Sequence, residues 1–241
     1  MSEPRPAAQA CGGAQALPAT GASGRLRADP FRVALLLLFF IAMAVSGIRP
    51  ADRFVWLSWC LAPVLGMTVL LVSRRRFRPS RVASCLLLLQ GLLLLTGAHY
   101  GFHAIPFFRF RMPDGTMRAC MDWLTHLVDG LAYARITLEA CATLRHAGRA
   151  NRTEQAACRS RGGPARLALC ISFALAALWE LIEWVASIAT QDRFRLTGGF
   201  AADTLVDMGL TLLGAMVLIL IAGTSTRRKG PVPEWNPSRE S

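Results

Sequence analysis

A chain of 241 residues that is 53% apolar and carries 27 Lys and Arg against 15 Asp and Glu is too rich in long apolar runs for an ordinary soluble domain. Its formal charge of +12 comes from basic residues clustered between those runs rather than on one soluble face, which argues against nucleic acid as a partner and for the lipid bilayer. The runs reach membrane-spanning length, so the expected fold class is all-α: a polytopic membrane protein built as a six-span transmembrane helix bundle.

In chain order, residues 1–30 are rich in Ala, Gly and Pro and poor in large apolar side chains, which predicts a disordered cytoplasmic tail. Spans are expected at 31–48, 53–73, 81–99, 120–146, 164–190 and 203–223, forming a membrane domain over 31–223, with a cytoplasmic tail at 224–241. Ala42 and Ala44 make a small-x-small pattern like a signal-peptide cleavage site. The charged region before it would be about thirty residues long, so the segment reads as a span.

With the N-terminus inside, the inner segments hold nineteen Lys and Arg and the outer loops seven. By the positive-inside rule this predicts cytoplasmic termini in a cell (inner) membrane. The seven cysteines form no C-x-x-C pair and no legible disulfide framework, and there is no internal repeat.

Ionisable groups within spans cost about 2.5 to 3.5 kcal/mol each, so they tend to face a bundle interior and mark a working site. Here seven acids lie inside apolar stretches, all in the second half of the chain: Asp122, Asp129, Glu139, Glu180, Glu183, Asp203 and Asp207. Span three ends at His99 and Tyr100. Span four opens with Asp122 and His126, four residues apart on one face, and Asp129 continues the stripe. Span five carries Glu180 and Glu183 three apart within Trp179-Glu180-Leu181-Ile182-Glu183-Trp184, and span six begins with Asp203 and Asp207. All these groups fall in the outer half of the bilayer. Glu139 lies about 25 Å along the helix from Asp122 and pairs structurally with Arg135, one turn away.

Each residue alone has a plainer reading: Asp203 as a helix cap, the tryptophans as packing or interface residues, His126 as a core histidine. Together at one depth, His126, Glu180, Glu183 and Asp207 ask for a shared explanation. Crowded carboxylates must share protons, pair with bases or bind cations. The oxygen-rich set His126, Glu180, Glu183, Asp203 and Asp207 suits a divalent metal cation such as Mg, Mn, Fe or Zn. Asp122, His126, Glu180, Glu183 and Asp207 are the candidate catalytic groups. H-E-x-x-H, G-x-S-x-G, phosphate-loop and dinucleotide fingerprints are absent.

The ordered series Ile48-Arg49-Pro50-Ala51-Asp52-Arg53, Gly97-Ala98-His99-Tyr100, Pro106, Asp122-x-x-x-His126, Gly130, Glu139, the Trp179–Trp184 element and Asp203-Thr204-x-x-Asp207-Met208 resembles the YjdF-like inner membrane protein family. The resemblance covers about residues 31–223. It implies a topology and the positions His99, Tyr100, Asp122, His126, Gly130, Glu139, Glu180, Glu183, Asp203 and Asp207, and it implies no reaction. The chain departs from the family pattern at Ala104, Trp123, Asp129, Leu138 and Phe200.

Three functional classes follow. The first is a cation-dependent enzyme acting on a lipid or polyprenyl-phosphate head group at the outer leaflet. The second is a proton- or cation-coupled transporter. The third is a non-catalytic assembly protein locked by its polar network. Oligomeric state stays open among them.

Overall fold

The computed structural model describes residues 29–74, 76–111, 115, 117–147, 162–189 and 200–228. The expected tail at 1–30 lies outside these up to residue 28, as does the C-terminal tail from residue 229. Among the described residues, six helices occupy the expected stretches: α1 (Pro30–Ser46), α2 (Arg53–Ser73), α3 (Arg81–Tyr100), α4 (Met121–Ala147), α5 (Gly163–Ala189) and α6 (Phe200–Arg228). Cys60, Cys85 and Cys170 are free thiols.

Local signals explain several boundaries. Asp29 caps α1, accepting from the Phe31 N–H at 3.1 Å with Pro30 at the first helical position, and Asp52 caps α2 through the N–H groups of Phe54 and Val55. Ser80 caps α3 through the Ala83 N–H, and the helix stops at Gly101, whose φ of +74° suits a residue without Cβ. Between α3 and α4 the chain makes a 3-10 turn (Phe102–Ala104) and a short antiparallel hairpin, β1 (Arg109–Arg111) with β2 (Met117–Ala119). The otherwise helical expectation did not include this hairpin, although Pro113-Asp114-Gly115 between its strands is a turn signal.

Among the described residues, four of the six helices are both long and apolar enough to cross a membrane, at Arg53–Ser73, Arg81–Tyr100, Gly163–Ile188 and Ala202–Gly223. At 17 residues α1 stands at the short end of the roughly 17–25 that cross a bilayer. Helix α4 has 27 residues but is too polar, because its sequence includes Asp122, His126, Asp129, Arg135 and Glu139.

Packing accounts for that polarity. Helix α4 lies at the centre, against α3, α5 and most extensively α6, and none of its residues from Met121 to Cys141 is exposed. The α4–α6 contact depends on two glycines. A Cβ on Gly130 would run into the Thr211 carbonyl, and one on Gly214 into the Leu127 carbonyl. Small residues let the two backbones approach closely, with Ala134 and Ala215 fully buried beside them. A second core, built on Trp59, Leu93, Leu94, Phe102, Ile105 and Met121, closes the end of the bundle under the hairpin, with Trp59 against the rings of Phe102 and Trp179. On the outside, Leu57, Leu61, Leu65, Val69 and Val72 of α2 are exposed, as are Leu205, Leu220 and Ile221 of α6. Apolar surface of this extent suits lipid contact.

Candidate functional site

Three helices bring their acids together near one end of the bundle. Asp122 and His126 occupy the first turns of α4, Asp207 stands about 10 Å from the start of α6, and Glu180 stands about 14 Å from the end of α5 by helical rise. Close α4–α6 approach at Gly130 sets His126, one turn earlier, against Asp207 and Thr211.

His126 is the hub of the cluster. Its Nε2 lies 3.5 Å from Asp122 Oδ1, 3.8 Å from Glu180 Oε1 and 4.0 Å from Asp207 Oδ2. Its Nδ1 lies 3.5 Å from Thr211 Oγ1, and that hydroxyl donates to the Asp207 carbonyl at 3.1 Å. His126, Glu180 and Asp207 are only 3%, 4% and 3% exposed, while Asp122 is half-buried. Glu180 Oε2 accepts from Thr204 Oγ1 at 2.8 Å, whereas its buried Oε1 has no hydrogen-bond partner among the described residues.

Donor atoms from Asp122, His126 and Asp207 all lie within 4.8 Å of one another. Donors around an ion bound at about 2.1 Å are about 3 Å apart when adjacent and about 4.2 Å apart when opposite, so the 3.5 and 4.0 Å from His126 Nε2 to the two carboxylates are of the size a small divalent ion spans. One imidazole with several carboxylates also fits the preference of borderline and hard cations.

The remaining expected residues take varied places. Glu183 is half-buried beside the cluster, accepts from the Trp179 indole one turn earlier and feels the charges of Asp122, Glu180 and Asp207. Asp203, buried in the first turn of α6, acts electrostatically on His126 and Glu180. Asp129 turns elsewhere: it meets Gln90, which also donates to the Tyr133 hydroxyl at 3.1 Å, and it lines a separate cavity.

His99 and Tyr100 also stand apart from these contacts. The His99 ring Nδ1 lies 2.8 Å from the Ser46 carbonyl at the end of α1, and the His99 carbonyl accepts from the Ala51 N–H, tying three segments together. Tyr100 is exposed, edge-on to His99 and Phe107. Near the other end of α4, Arg135 Nε donates to Glu139 Oε1 at 2.6 Å, and Glu139 Oε2 accepts from the Ser80 N–H at 2.8 Å. The pair thereby reinforces the start of α3.

Residues 31–228 match the family described as "Predicted membrane protein (DUF2238)". The chain belongs to this family. Over 188 residues it is 28% identical to Inner membrane protein YjdF of Escherichia coli (strain K12), covering 76% of this chain and 85% of that protein. No solved structure matches. With its long apolar helices, this DUF2238 member is a multi-pass membrane protein.

The motifs of this DUF2238 protein do not single out Thr204, Thr211 or Gly214 as site-forming. Thr204 follows Asp203 directly and Thr211 stands one turn after Asp207, so hydroxyls at i+1 and i+4 of buried acids were the available signal. For the close contact, Gly130-x-x-x-Ala134 and Thr211-x-x-x-Ala215 carry the small-xxx-small pattern of tight helix pairs.

Proposed function

We propose that this is a six-span membrane protein with both termini cytoplasmic, whose Asp122, His126 and Asp207 hold a divalent cation for a reaction on a lipid or polyprenyl-phosphate head group in the outer half of the bilayer. Glu180, Glu183 and Asp203 complete the site. Helix α4 joins the spans as the one enclosed by protein, and α1 joins them as a short one accommodated by local thinning or flanking residues.

The observation that carries the reading is Glu180 Oε1: buried, without a hydrogen-bond partner among the described residues, and directed at the imidazole that Asp122 and Asp207 also approach. A buried carboxylate oxygen left in that position is costly unless a proton or a cation occupies the centre. A divalent ion there would supply Lewis-acid polarisation of a phosphoryl oxygen. Glu180 and Glu183, beside the three proposed ligands, would exchange a proton with water or a leaving group.

Elemental analysis of detergent-purified protein stripped of loosely held ions tests the cation. Near-stoichiometric metal is expected in the wild type and at least tenfold less in His126→Ala/Asp207→Asn, with equal helical content. Absence of metal from both folded proteins removes the cation reading. The reaction class is tested by phosphate or head-group release from phospholipids and a polyprenyl diphosphate; no metal-dependent release removes the enzyme.

A transporter is the second reading, favoured by polar groups continuing along α4. Asp129 with Gln90 and Tyr133, then Arg135 and Glu139 with Ser80, follow the His126 cluster toward the other end. Proton flux in proteoliposomes that Asp129→Asn abolishes, without change in metal content, would replace the first reading by this one.

A further inference from the structure

Away from the acid cluster, residues of helices α1 to α5 line a half-open cavity of about 820 Å³, within the roughly 300–1,000 Å³ of ligand-holding sites. Its walls are mainly aliphatic and aromatic: Phe39 of α1, Ala62 and Met67 of α2, Leu94 of α3, Trp179 of α5. Its extent follows the helices. From Arg74 to Ala62 along α2 is about 18 Å by helical rise, close to the roughly 15 Å depth of one leaflet's hydrocarbon.

One end of the cavity is basic. Arg32, Arg74 and Arg78 line it, opposed by Asp29. Arg32 Nε lies 3.6 Å from the Asp29 carboxylate, and the Arg32 guanidinium donates to the Pro79 carbonyl at 2.8 Å. Arg74 and Arg78 are exposed, and Arg78 Nε is 3.4 Å from the Arg74 carbonyl. Toward the other end, Gln90 donates to Tyr133 and meets Asp129 on a wall that is otherwise apolar.

An apolar slot one leaflet deep with arginines at its rim is complementary to an anionic amphiphile. Guanidinium groups bind phosphate in a forked geometry, and basic pockets between membrane helices hold anionic head groups. We infer that this cavity binds an anionic glycerophospholipid drawn from the bilayer, an acyl chain lying between α1 and α2 and the phosphate among Arg32, Arg74 and Arg78. The inference is independent of the cation site, and the lipid site's variants leave metal content unchanged.

The test is native mass spectrometry of delipidated protein incubated in detergent with phosphatidylglycerol or phosphatidylcholine. Wild type should retain phosphatidylglycerol at least tenfold over phosphatidylcholine. Arg32→Gln/Arg74→Gln/Arg78→Gln should lose that preference. Gly66→Phe should lose both lipids, since Gly66 lines the cavity and open space lies beside it. If the triple variant does not fold, Arg74→Gln/Arg78→Gln, both exposed, replaces it with the same expectation. Equal retention of the two lipids by wild type, no retention, persistence of the preference without the arginines, or unchanged binding in Gly66→Phe would each overturn the inference.

Discussion

Helices α2 and α4 are built on opposite plans. In α2 only Trp59 and Cys60 are buried, the exposed residues are largely Leu and Val, and the segment is among the most evident spans by hydropathy. In α4 every residue from Met121 to Cys141 is at least half-buried, yet that stretch holds three acids, a histidine and an arginine. Solvent explains the inversion. A helix facing lipid must be apolar outside, whereas one surrounded by protein meets its polar needs through neighbouring helices. Hydropathy therefore detects the helices that face outward and underrates the one enclosed by its neighbours.

The largest effect that would sharpen this contrast is expected at the α4–α6 contact. Gly130→Ala places a methyl against the Thr211 carbonyl, so the helices must separate, at a cost of about 3 kcal/mol or more. Thermal unfolding in detergent should show a large loss, and a melting temperature equal to wild type would break the account of close packing. Next comes Leu65→Asp on the exposed face of α2, which should cost about 3 kcal/mol of insertion, read by a glycosylation-based insertion assay. Unimpaired insertion would mean that this face meets protein or water rather than lipid.

Arg135→Gln is expected to lower stability by about 2 kcal/mol, because Glu139 loses its charged donor and is left with Ser80. Hydrogen exchange should show the first turn of α3 opening more readily, and unchanged protection there would detach the pair from that helix start. The smallest effect is Gly66→Ala in α2. Nothing lies within 4 Å of the added methyl, so the helix should gain about 0.5 to 1 kcal/mol, the opposite sign to the same change at Gly130.

Much of this arrangement was legible in the chain. Apolar runs gave the helix positions to within a few residues, because length and hydropathy are properties of a single segment. The spacings Asp122-x-x-x-His126 and Asp203-x-x-x-Asp207 placed each pair on one helix face. Asp129 shows where such reasoning stops. It continues the same stripe in sequence, but the packing of α3 against α4 brings Gln90 to it rather than His126. His99 likewise serves the end of α1, a partner 53 residues away that no local pattern names.

By itself, the sequence determined that this is a membrane protein made of helices, which segments form them, and which residues carry buried charge, since all three follow from composition and short-range spacing. Only the tertiary structure decided which charges meet. The close α4–α6 approach at Gly130 and Gly214 brings Asp122, His126 and Asp207 within 4.8 Å of one another and leaves Glu180 facing them from α5. That distance depends on how closely two backbones approach, which is a property of the helix pair rather than of either helix.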